Sequence, residues 1–197
     1  KKGRMRTAYF WPVMAGDEVA FLYFDSREHH HVFKALGAKP GDDAVIVSDG
    51  YGAYKAYAKK TGTENAQCWT HARREFIEAE AIEPKKVEEA LELLRPLWRI
   101  EKEIAAQQLD ENEKLIYRVL HAKPVVDAFF AWVAAQQKET ALLPGNRFTE
   151  ALNYVAKRKE ALSIFLIDPD VPIDTNEIER DRKSTSLNSS HRIRSRM

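Results

Sequence analysis

Three short stretches bring together side chains that can hold a cation or meet a phosphate. In the first, the apolar run Ala44-Val45-Ile46-Val47-Ser48 ends in Asp49-Gly50. A carboxylate just past the carboxyl end of a buried strand, with a small residue behind it, suits a hard cation such as Mg²⁺. The same Asp-Gly pair also simply closes a turn. The second stretch is Cys68-Trp69-Thr70-His71-Ala72-Arg73-Arg74-Glu75. Its Cys and His are spaced to open a zinc site, but Cys68 is the chain's only cysteine, which argues against a structural zinc. Packing at a strand end accounts for Cys68 and Trp69. His71, Arg73 and Arg74 are placed to meet phosphate oxygens or to hold acidic side chains. In the third stretch, Asp174 followed by Glu177 reads as a capping box that opens a helix, with Glu179 in its early turns. That carboxylate either swings over a strand-end Asp or is solvated. Glu101 is a fourth point of interest. It falls on the apolar stripe of a long helix and therefore needs a partner, for which Arg73 or Arg74 is the expectation.

The surrounding elements must position these groups. Residues 4–14 and 19–25 read as two strands joined by a short loop, with Pro12 marking an edge strand or a strand end. Ser26 is the expected cap of a helix over 27–37 ending at Gly37. A turn at 39–42 leads into a strand over 44–48 buried on both faces, a helix around 53–60, and a further strand over 65–70. From about residue 72 the pattern is helical. Val87, Ala90, Leu91, Leu94, Leu97, Trp98, Ile104 and Ala105 form one stripe, and another helical stretch begins near Glu113. Pro124 opens a helix with Val125, Phe129, Phe130 and Val133 inward. After a loop at 143–146, residues 148–166 are helical, with Leu152, Val155, Leu162 and Phe165 inward.

Composition narrows the classes. Of 197 residues, 44% are hydrophobic, and 31 basic residues nearly balance 30 acidic ones. That suits a globular domain with an insertion and leaves any nucleic-acid contact to local basic stripes. A single cysteine points to a reducing, cytoplasmic setting. The chain has no run long enough to span a bilayer, and no apolar segment follows the basic start, as a secretory leader would require. That abrupt basic start, just ahead of a strand, suggests a natural beginning upstream.

Four segments, in order, resemble the insertion sequence 66 family of bacterial DDE transposases: SDGYGAY at 48–54, CWTHARREF at 68–76, LWRIEKEI at 97–104 and ALNYVAKRKEALSIFLIDPDVPIDTNEIER at 151–180. The resemblance covers roughly residues 4–181. It implies an α/β, ribonuclease-H-like mixed sheet, here lacking its first strand, with an α-helical insertion before the last acidic residue. The core's first part would be 1–71, the insertion 72–146, and the returning core helices 147–181. By this resemblance Asp49 is the second metal-binding acid and Glu179 the third. Cys68 and His71 match the C-x-x-H signature that follows the second acid, and Arg180 joins His71, Arg73 and Arg74 as a DNA contact or a support of the acids. Cys68, Trp69 and Glu101 are structural.

The first acid lies upstream of the matching segment. Asp25 ends the strand that directly precedes a helix and Asp17 sits in a hairpin loop, so neither takes its place. The implied cofactor is Mg²⁺ or Mn²⁺ in a two-metal site. The implied partner is DNA, both transposon ends and target, and the complete enzyme would be a homo-oligomer. The expectation for this chain alone is little strand transfer. A non-enzymatic DNA-binding remnant and a ribonuclease-H-like nuclease are the other readings. Residues 182–197, with Arg192, Arg194 and Arg196, read as non-native sequence or as a disordered basic arm.

Overall fold

The computed structural model describes residues 9–15, 18–26, 28–37, 44–139 and 145–175. It is a helix-rich α/β structure whose described residues fall into two compact units. One holds the described residues up to Ile46 together with Tyr51–Glu64 and Thr175. The other holds Val47–Gly50 and Asn65–Asp174.

In the first unit, β1 (Tyr9–Ala15) and β2 (Glu18–Phe24) form an antiparallel hairpin, with register running from Ala15 opposite Glu18 to Tyr9 opposite Phe24. The strand continues through Pro12, which stands opposite Phe21. Alternation along β2 turns Leu22 and Phe24 toward the core and leaves Tyr23 exposed. That core centres on Val32 of α1 (His30–Leu36) and on Ala53 and Tyr57 of α2 (Gly52–Thr61). Ser26 does not cap α1. His29 takes the cap position with helical dihedrals, and the Ser26 hydroxyl instead shares a 2.8 Å hydrogen bond with Nε2 of the buried His31.

Burial lowers the pKa of His31, and the neighbouring charges of His30 and Lys34 lower it further. Asp25 and Glu28 oppose the shift. The unfolded imidazole binds a proton near pH 6.5 and the folded one resists it, so stability is present above that value and declines as pH falls below it. Amide protection in α1, corrected for the slowing of intrinsic exchange at lower pH, should therefore fall between pH 7.5 and 5.5, and His31→Gln should flatten that dependence. Equal slopes in parent and variant would remove His31 as the cause.

Strands β3 (Val45–Ser48) and β4 (Glu64–Gln67) pair in a second two-stranded sheet, with α2 as their connection. The Cys68 N–H, just past the end of β4, donates to the Ser48 carbonyl at the end of β3 (3.1 Å). The two carboxyl ends therefore lie side by side and the strands run parallel. β3 is less enclosed than its apolar run suggested, since Ser48 alone of its residues is fully buried. The last strand is also shorter than expected, because Trp69 already begins α3 (Trp69–Ile77).

The second unit is otherwise helical. α4 (Pro84–Gln107) buries Val87, Ala90, Leu94, Leu97, Ile100 and Ile104 along one face, so Ile100 joins the expected stripe and Ala105 leaves it. α5 (Glu111–Tyr117) opens on a complete capping box between Asp110 and Glu113. A π-helical turn, Arg118–Ala122, carries it into α6 (Lys123–Lys138), where Val126 rather than Val125 is buried beside Phe129, Phe130 and Val133. Asn146 caps α7 (Arg147–Ala156) by accepting from the Phe148 N–H. The expected single helix over 148–166 is broken at Lys157 and Arg158. Beyond the break come α8 (Lys159–Ser163) and a 3₁₀ turn, Ile164–Leu166. The turn at 39–42, the first half of the loop at 143–146, Glu177, Glu179, Arg180 and the tail 182–197 lie outside the described residues. Among the described residues, no helix is long and apolar enough to cross a membrane.

Candidate active site at the end of strand β3

Strand β3 delivers Asp49 with its side chain exposed. Behind it, the buried Ser48 hydroxyl donates to Asn65 Oδ1 and accepts from Gln67 Nε2, each at 3.0 Å, which ties the ends of the two strands together. Gly50 turns the chain at φ +85°. A Cβ there would lie 2.6 Å from the Tyr154 hydroxyl and 2.8 Å from Gln67 Oε1, so both the dihedral and the space require glycine.

Tyr154 and Arg158, four residues apart at the end of α7, close on this turn. The Tyr154 hydroxyl donates to the Asp49 carbonyl (3.1 Å), and Arg158 Nη2 approaches the Gly50 carbonyl (3.4 Å). Arg158 Nη1 donates to the carbonyl of Tyr154 itself (3.1 Å), and its guanidinium carbon lies 3.8 Å from the centre of the Tyr154 ring. Burial raises the Tyr154 pKa, with Arg158 opposing, so the phenol remains a donor. Sequence reasoning singled out neither residue; a spacing of four would share a face on one helix, but α7 ends between them at Ala156.

His71 lies in the first turn of α3. Its pKa is raised by a hydrogen bond with the buried Cys68 side chain, against the effect of burial, and the charge of Asp49 adds to the rise. Arg73 and Arg74 are exposed, and among the described residues neither forms an ion pair. They are not the partners of Glu101. That carboxylate is held instead by Arg118, at 2.9 Å from Nε and 2.8 Å from Nη2. Trp69 is fully buried, and its indole N–H donates to the Leu162 carbonyl (2.8 Å). Asp174 Oδ2 accepts from Thr70 (3.1 Å) and from the Trp98 indole (2.8 Å), which anchors the last described residues to α3 and α4.

The profile of the Transposase IS66 family matches residues 1–192. The chain belongs to this family. Three curated relatives in Sinorhizobium fredii carry the name uncharacterized protein. Protein y4jD is 26% identical over 185 residues, covering 90% of this chain and 35% of its own length. Protein y4qI is 29% identical over 197 residues, covering 90% and 35%. Protein y4hP is 29% identical over 188 residues, covering 85% and 33%. The chain thus spans about a third of the length of the curated relatives it matches. No solved structure matches it significantly. Membership of a transposase family gives the strand-end acid a context in which its chemistry makes sense.

Proposed function

We propose that this chain is part of a ribonuclease-H-like transposase catalytic domain in which Asp49 and Glu179 are two of three metal-binding acids acting on DNA phosphodiesters. The observation that carries the reading is the position of Asp49, an exposed carboxylate at the carboxyl end of a parallel strand with its main chain fixed on both sides of the turn. A hard oxygen donor held this way suits Mg²⁺ or Mn²⁺. Among the described residues no group of three or more His, Cys, Asp or Glu side chains is arranged to hold a metal ion, so on this reading the remaining donors include Glu179. Bound metal would supply an activated hydroxyl and stabilisation of the leaving oxygen. The chain's own contributions are to fix the direction of Asp49 and to place His71, Arg73 and Arg74 toward phosphate. In the complete protein the site would act within a homo-oligomer.

The expected result is a metal-dependent rise in melting temperature. Saturation at about a hundred times the dissociation constant stabilises by about 2.7 kcal/mol, a shift of several degrees for a domain of this size. Asp49→Asn should abolish the rise in Mn²⁺ while leaving the metal-free melt unchanged. An Asp49→Asn variant that gains as much as the parent would remove Asp49 from the metal site. A parent that gains nothing, yet still binds DNA, would favour the non-enzymatic DNA-binding reading.

A further inference from the structure

We infer that Arg158, held over the Tyr154 ring beside the Asp49–Gly50 turn, is a binding site for a DNA phosphate. The inference rests on the reading that this chain acts on DNA. A guanidinium carries five N–H donors in a planar fork. Here two are spent on main-chain carbonyls, those of Tyr154 and Gly50. Among the described residues, no carboxylate lies within ion-pair distance of Arg158. Two other arginines of this unit that are at least partly buried have carboxylate partners: Arg118 has Glu101, and Arg147 has Glu75, Glu78 and Glu150. Arg158 is therefore a partly buried cation with no counter-charge among the described residues, a condition that favours an arriving anion.

The stacking completes the case. Held over the tyrosine ring and on two main-chain carbonyls, the guanidinium has already given up part of the rotamer freedom that a surface arginine loses on binding. Its fork is restrained in advance, and a DNA phosphate, with paired terminal oxygens, is an anion that matches it. The location ties this anion site to the acid. Tyr154 holds the Asp49 carbonyl while its ring supports Arg158, so one side chain fixes both the candidate metal ligand and the candidate phosphate contact. The missing side chain at Gly50 is what lets them approach, since a Cβ there would lie 3.1 Å from Arg158 Nε.

The test is the salt dependence of binding to a short fluorescein-labelled DNA duplex, measured by anisotropy without metal. Loss of one phosphate contact should reduce the slope of log K against log salt by about 0.9. Arg158→Gln should show that reduction. Arg158→Lys should keep the slope, because the charge remains, but bind more weakly without the stacked fork. Arg95→Gln serves as a control, because Arg95 on α4 is exposed and paired with Glu92, and it should leave the slope unchanged. A parent-like slope in Arg158→Gln, or an equal loss in Arg95→Gln, overturns the phosphate site while leaving the DNA reading intact. A parent chain that binds no duplex even at low salt overturns both. If Arg158→Gln lowers the melting temperature without altering the slope, Arg158 merely props the turn and the inference is wrong.

Discussion

Arg118→Ala should destabilise the helical unit by about 3–5 kcal/mol, the usual cost of breaking a buried ion pair by removing one partner. Only 1% of the Arg118 side chain is exposed, and the Glu101 carboxylate it grips with two nitrogens is itself 19% exposed. Its Nη1 also donates to the carbonyls of Phe165 (2.8 Å), Asp168 (3.2 Å) and Val171 (3.2 Å). Truncation would leave one carboxylate poorly solvated and three carbonyls short of a donor, each a separate penalty. Domains of this size are stable by about 5–15 kcal/mol, so the variant should sit close to unfolding at room temperature. Glu101→Ala should cost a similar amount for the reciprocal reason, and Glu101→Gln less, because the amide oxygen still accepts. The double variant Arg118→Met with Glu101→Met should recover part of the loss, since it strands no charge. Urea denaturation followed by tryptophan fluorescence measures all four. A loss under about 0.5 kcal/mol for Arg118→Ala, the range of an ordinary surface change, would contradict the buried-pair argument.

The same pair shows what sequence can and cannot convey. Glu101 was legible as an inward acid because it interrupts a helical apolar stripe. Its partner was not, because the π-helical turn at Arg118–Ala122 inverts the expected pattern. Arg118 points inward while Ile116, Val119 and Leu120 are 60%, 48% and 63% exposed. A single inserted residue in a helix rotates every side chain after it, and hydropathy alone gives no sign of where the insertion falls. Asp49 was legible for the opposite reason. A short apolar run that stops at Asp-Gly is a local signal, and the structure ends the strand there. Tyr154 and Arg158 belong to the site only through contacts spanning more than a hundred residues. The helix break that accompanies them falls in Lys157-Arg158-Lys159, with no glycine or proline to announce it. Arg158 leaves helical dihedrals (φ −120°, ψ 13°) where its side chain lies over Tyr154. Ser26 illustrates the competing effect: a residue with good capping chemistry was drawn away by a buried imidazole that needed a partner.

Trp69→Ala should match the arginine change in size, at about 3–5 kcal/mol, for a different physical reason. Trp69 is wholly buried, with Phe129, Phe130 and Phe165 around it at ring-centre distances of 5.8, 6.1 and 6.3 Å. Truncation would open a cavity bordered by aromatic rings from different helices, which cannot all relax into it. It would also take the indole donor from the Leu162 carbonyl. Trp69→Phe separates the two contributions, because it keeps most of the packing and loses the hydrogen bond. Its cost should be smaller, about 1–3 kcal/mol. The stabilities should therefore rank parent, Phe, Ala in far-ultraviolet circular dichroism during urea denaturation, a probe that does not depend on the indole removed. If the two variants lose equal stability, the hydrogen bond alone matters and the packing argument fails. The consequence reaches the acid. The Trp69 N–H donates to the Ile173 carbonyl (3.0 Å), and the Cys68 N–H beside it to Ser48 (3.1 Å), so this short stretch joins the strand end that carries Asp49 to the segment that leads to Asp174. Under conditions where Trp69→Ala remains folded, its Mn²⁺-dependent stabilisation should be smaller than the parent's, because the indole supports the backbone that holds the strand end in place.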